Sequence, residues 1–129
     1  MFGGMSASLR DLKVWQEAVA LAADVIAVAR RAARREIKAA TDQLIATATN
    51  TAAAIAEGTG FHDAPAQHER YRAARQSLLR LETELAIARH AGLLDEDTHG
   101  SLSRRATQVA RLLGGYLVYL ERQLEEKRD

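Results

Sequence analysis

Proline occurs once in this chain, at position 65, and apolar residues return every three or four positions along four long stretches. That spacing puts side chains on one face of an α-helix and matches no strand, where the faces alternate every second residue. With no further proline to interrupt them, such stretches build long helices. Each apolar stripe has to be covered by another, and short connections make consecutive helices antiparallel neighbours. The pattern therefore predicts an all-α fold, an antiparallel up-down four-helix bundle, as a single domain over residues 1–129.

The spacing places the helices at about 8–34, 37–57, 64–91 and 95–126. The first opens at Ser8, with Asp11 three positions on as a shortened capping box. Its predicted inward stripe is Leu12, Trp15, Val19, Ala22, Ile26, Ala29 and Ala33. A break near 34–37 separates it from a second helix with Ile37, Leu44, Ala48 and Ile55 inward, ending at Gly58. Asp63 is set to cap the third helix, and Pro65 suits its first turn, where a missing N–H costs little. Tyr71, Ala74, Leu78, Leu81, Leu85 and Ala88 form the third stripe, and Gly92 ends that helix. Asp95, Glu96 and Asp97 start the fourth at its positive dipole end. Its stripe is Leu102, Ala106, Val109, Leu113, Tyr116, Leu120 and Leu124.

The second helix departs from the usual amphipathic pattern. From Gln43 to Ala56 the sequence reads QLIATATNTAAAIA, without one charged side chain. At 1.5 Å per residue that is about 21 Å of helix without a charged stripe. A surface helix normally carries a charged face, and one lacking it is covered on more than one side. Alanine's helix propensity does not account for the run, because Thr47, Thr49, Asn50 and Thr51 are weaker helix formers. The expectation is a homo-oligomer, with Leu44, Ile45, Thr47, Thr49, Thr51, Ala52 and Ile55 as candidate interface residues.

Composition narrows the function classes. No cysteine is present, which excludes disulfides and thiolate metal sites. No apolar run is long enough to span a bilayer, and the start MFGGMSASLRD lacks the features of a signal peptide, so a cytoplasmic location is expected and no membrane partner. The formal net charge of +1 argues against a polyanion binder driven by overall charge. One local basic cluster remains, in RRAARREIK at 30–38. Arg30, Arg31, Arg34, Arg35 and Lys38 are spaced to share the faces of one helical end, where they are the candidate nucleic-acid-binding residues. Arginine is also favoured at a helix C-terminus by the dipole alone. A second set, Arg70, Arg72, Arg75 and Arg80, has Glu69, Glu82 and Glu84 nearby, so surface ion pairing is the better account of it.

Several stretches resemble a known family. Leu9–Ile26 (LRDLKVWQEAVALAADVI), Ile55-Ala56-Glu57-Gly58, Ser77–Leu85 (SLLRLETEL), Ala88-Arg89 and Gly92-Leu93 occur in the order and spacing found there. The family is that of the bacterial four-helix-bundle proteins encoded in 23S rRNA intervening sequences, related to the accessory proteins of diversity-generating retroelements. The resemblance implies a four-helix bundle assembled as a homopentamer, without enzymatic activity and described as associated with nucleic acid or ribosomes. Relatives commonly carry two arginines where this chain has Ile45 and Ala46, Pro and Asn where it has Ala52 and Ala54, and Phe-Pro where it has Ala32-Ala33. Fold and assembly therefore carry over more fully than nucleic-acid binding.

Catalytic and metal chemistry find little support. A di-iron bundle needs two inward E-x-x-H motifs. Glu96–His99 is the one E-x-x-H, at a helix start and off the apolar stripe. His62 and His68 lie beside Asp63 and Glu69 but without a nucleophile motif, and Gly58-Thr59-Gly60 lacks the remainder of a dinucleotide loop. Base stacking has little support, because Trp15, Tyr71 and Tyr116 sit on core stripes and Phe61 stands in a loop. Gly114-Gly115, inside a helix, suggests close packing or a bend. No catalytic residue, metal, cofactor or small-molecule substrate is expected. The leading reading is a homopentameric binding module for RNA, DNA or a ribonucleoprotein. Its rival is a purely structural or protein-interaction ring with no nucleic-acid role.

Overall fold

The structure, a computed structural model, describes residues 9, 11–32 and 38–128. It contains four helices: α1 (Lys13–Ala32), α2 (Lys38–Gly60), α3 (Ala64–His90) and α4 (Glu96–Arg128). Among the described residues there is no strand. The predicted cap Ser8, and the break at 34–37 with Ala33 and Ile37, lie outside these residues.

The helix ends follow from local hydrogen bonding. Asp63 caps α3 by accepting from the Ala66 N–H at 2.7 Å, with Pro65 in the first turn. Asp95 caps α4 in the same way, accepting from the Thr98 N–H at 2.7 Å. Gly92 takes φ +82, and the Gly92 and Leu93 N–H groups reach back to the Arg89 and Ala88 carbonyls. This is the Schellman closure, which glycine enters without steric cost. Here α2 continues two residues past Gly58, to Gly60, and the Thr59 hydroxyl bonds the Ile55 carbonyl at 2.9 Å.

Each helix packs on two others: α1 on α2 and α4, and α3 on α2 and α4. Across α2 and α3 the partners are Glu57 with Arg70, Thr51 with Ser77 and Gln43 with Glu84, so numbers fall on one helix as they rise on the other. Across α3 and α4 they are His68 with Glu121, Tyr71 with Tyr116 and Arg89 with Glu96, again in opposed order. The predicted α3 stripe is buried at every position, as are Leu44, Ala48 and Ile55 on α2. On α4, Leu102, Ala106, Val109, Leu113 and Leu120 are buried, Leu117 joins them, and Tyr116 and Leu124 are partly covered.

The first stripe requires a correction. The buried residues of α1 are Val14, Ala18, Leu21, Val25 and Ala29, whereas Val19 and Ile26 are 39% and 38% exposed. Leu12, Trp15 and Ala22 pack only partly against the core. Two apolar stripes with nearly the same spacing run side by side along this helix, and the core takes the one rotated away from Trp15. With α1 so turned, Glu17 and Asp24 both reach Arg105 on α4, at 3.8 and 3.1 Å.

Candidate interaction surfaces

The basic candidates stand at the C-terminal end of α1 and the start of α2. Arg30 and Arg31 occupy the last turn of α1 and are exposed. Arg34 and Arg35 lie outside the described residues. Lys38 is exposed and pairs with Asp42 at 2.8 Å, so its charge already has an acidic partner. The fourth helix begins close by. Hydrogen bonds from the Thr98 N–H and hydroxyl, with a smaller pull from Arg31, keep the Asp95 carboxyl below its ordinary range. Arg30 and Arg31 are both exposed.

The second arginine set divides. Arg70 pairs with Glu57 at 2.6 Å and Arg80 with Glu84 at 3.2 Å, while Arg72 and Arg75 are exposed. Between them, α2 and α3 enclose an open groove lined by Gln43, Ala46, Asn50, Arg70, Gln76 and Arg80. Its polar floor is internally bonded. The Ser77 hydroxyl donates to the Thr47 carbonyl, and the Thr51 hydroxyl contacts both Ser77 and that same carbonyl.

Of the seven residues expected to meet another subunit, four turn inward. Leu44, Thr47, Thr51 and Ile55 are at most 5% exposed inside this chain, so their surface is already used. Ile45 and Ala52 are partly covered and Thr49 is exposed. The outward face of α2 also includes Ala46, Asn50 and Ala53.

Sequence reasoning missed what borders that face. With Val14, Leu21 and Val25 in the core and Glu17 and Asp24 toward α4, Trp15, Val19, Ala22 and Ile26 fall on the opposite flank of α1, toward α2. The signal was present in the sequence: a second stripe, Val14, Ala18, Leu21 and Val25, lies one position away, and Glu17 and Asp24, seven residues apart, mark an edge. The structure thereby joins two surfaces read separately, the outer α1 stripe and the uncharged run of α2.

The glycines play different parts. At Gly58 an added Cβ would lie 2.8 Å from Tyr71 Cε1 and 3.2 Å from Arg70 Cβ, so bare backbone lets α3 approach α2. The Tyr71 ring is buried there, and its hydroxyl is 2.9 Å from Thr59 Oγ1. Burial raises its pKa above the ordinary phenol value. At Gly114 and Gly115 an added Cβ meets nothing within 4 Å, so close packing does not explain this pair.

His62 is exposed in the loop, Asp63 is engaged as a cap, and the His68 Nε2 is 3.7 Å from Glu121. Glu96 pairs with Arg89, and His99 faces Ser103 along its own helix. Among the described residues no three His, Asp or Glu side chains converge as metal ligands would. No helix among them is long and apolar enough to cross a membrane.

These features define a class first: a small all-α protein of four mutually packed helices whose distinctive surfaces are outward faces. The chain belongs to the family of the 23S rRNA-intervening sequence protein, whose model matches residues 10–115. A comparison with curated protein sequences found no match.

Proposed function

We propose that this chain is a non-enzymatic, homo-oligomeric binding module, an antiparallel up-down bundle whose outward faces do the work. The opposed order of the partners between α2 and α3, and between α3 and α4, supports the up-down arrangement. Self-assembly rests on one observation: α2 carries no charged side chain from Gln43 to Ala56, and Ala46, Thr49, Asn50 and Ala53 on it are exposed. A face without ionic groups gains little from water and can be covered at low desolvation cost. Five subunits, the number known in the family, is the assembly we expect. Light scattering at micromolar concentration tests this, and a mass of 14.1 kDa alone would overturn it.

A second reading adds nucleic acid as the ligand. It is favoured by the exposure of Arg30 and Arg31 at a helix end and by the family's link to 23S rRNA. Repeated around a ring, Arg30, Arg31, Arg34, Arg35 and Lys38 would form a positive band for sequence-independent phosphate contacts. Binding would weaken steeply with salt and be lost on Arg30→Glu with Arg31→Glu. Absence of RNA and DNA binding at about 50 mM salt, where screening is weak, would leave the purely structural ring as the function.

A further inference from the structure

We infer that the outward face of α4, from Arg104 to Arg122, is a binding site for single-stranded nucleic acid, with a base seated over Gly115 against Tyr119. The site needs none of the cations at the end of α1, and it adds contact with the base to the phosphate contact proposed above.

Three directions around α4 are fixed by its neighbours. Ala106, Val109, Leu113 and Leu117 are buried in the core, Arg105 reaches Glu17 and Asp24 on α1, and Glu121 stands 3.7 Å from His68 on α3. At about 100° per residue, Arg104, Arg111, Gly115 and Arg122 share the remaining side, away from the core. All four are exposed. Both α1 and α3 pack on α2 and on α4, so α2 and α4 stand diagonally across the bundle. The α4 face therefore points away from the uncharged face of α2.

Charge on this face has one sign. Among the described residues none of Arg104, Arg111 and Arg122 is paired with a carboxylate, whereas Arg70, Arg80, Arg89 and Arg105 all are. From Thr98 to Arg122 the one acid is Glu121, turned to α3, and acids return only at Glu125 and Glu126. Three cations spread over about 27 Å of helix attract an extended polyanion, and that length suits the shortest single-strand sites, about four nucleotides.

Between the cations lies an open hollow of about 430 Å³, lined by Arg111, Leu112, Gly115, Tyr116 and Tyr119. Its floor is helix backbone. A Cβ at Gly115 would meet nothing within 4 Å and the backbone there is helical, so neither packing nor conformation requires glycine. What glycine does is leave the floor flat. The walls are aromatic and held in place: Tyr116 packs on the buried Tyr71 ring, with centroids 5.9 Å apart, and the Tyr119 hydroxyl accepts from Gln123 at 2.7 Å. Tyr119 stands off the core stripe and is 57% exposed, which leaves its ring open to stacking. Every base offers a π face to such a ring, and the neighbouring guanidinium meets the phosphate. The base has to be unpaired, because a duplex presents only base edges in its grooves. Arg72 and Arg75 on α3 are also exposed, but the apolar group beside them is Leu79, which cannot stack.

Fluorescence anisotropy with short labelled single strands of DNA and RNA, at about 50 mM salt where screening is weak, measures this binding. Wild type should bind them more tightly than it binds a duplex or an abasic strand of equal length. Tyr119→Ala and Gly115→Leu should each weaken binding about tenfold or more. Gly115→Leu should keep or raise the melting temperature by circular dichroism, since its side chain enters open space and leucine is the better helix former. Its loss of binding is then not a loss of fold. Arg111→Gln should lower the slope of log affinity against log salt by about one. Equal binding of the abasic strand, or wild-type affinity in both Tyr119→Ala and Gly115→Leu, would overturn the base contact. Loss on Arg30→Glu with Arg31→Glu alone would leave the phosphate reading standing and remove this site, and loss on the α4 variants alone would do the reverse. If wild type binds no strand at all, both fall.

Discussion

Along its edge toward α3, α2 carries Gln43, Thr51, Glu57 and Thr59, and each meets a polar partner: Glu84, Ser77, Arg70 and Tyr71. Along its edge toward α1 it carries Ile45, Thr49, Ala52 and Ala56, and α1 offers Trp15, Val19, Ala22 and Ile26. The first edge is directional. Hydrogen bonds are satisfied in only one register, so α2 and α3 are held at a fixed rise and rotation. The second edge is held by contact area, which tolerates sliding and also accepts an additional helix at little cost. One helix thus serves as a locked joint on one side and as an open surface on the other.

The largest effect that would sharpen this contrast is at the core. Ile55→Ala should cost about 2–5 kcal/mol, whereas Val19→Ala, on the outer flank of α1, should stay within about 0.5 kcal/mol for the subunit. Denaturant unfolding at fixed protein concentration measures both, and equal costs would mean that this flank is core rather than surface. Gly58→Ala comes next, at about 1–3 kcal/mol, because the new methyl meets the buried Tyr71 ring. Thr51→Val should cost about 1 kcal/mol by removing a buried hydroxyl bonded to Ser77 and the Thr47 carbonyl, while Thr49→Val, exposed, should be close to neutral. A matching loss at Thr49 would erase the difference between the two edges. The smallest effect has the opposite sign. Gly115→Ala should stabilise by about 0.5–1 kcal/mol in thermal or denaturant unfolding, since helix propensity rises and no atom is displaced.

Much of the architecture was legible from local rules. The α3 stripe from Tyr71 to Ala88, the caps at Asp63 and Asp95 and the stop at Gly92 all act within a few residues of themselves. Their chemistry is therefore complete in the sequence. Helix α1 was legible as a helix but not in its rotation. Two apolar stripes with nearly the same spacing compete there, and packing against α2 and α4, from later in the chain, buries one of them. The interface candidates divided for a related reason. An uncharged helix announces that several sides are covered, yet Leu44, Thr47, Thr51 and Ile55 are covered by the chain itself and only Ile45, Thr49 and Ala52 remain near the outside.

By itself, then, the sequence determined four helices, the caps of two of them, and membership of a family whose model matches residues 10–115. Only the tertiary structure decided which way each helix is turned, and with it which apolar residues are core and which are left exposed. Helix formation depends on neighbours within one turn. Rotation depends on partners from distant parts of the chain, and periodicity along one helix carries no information about where those partners stand.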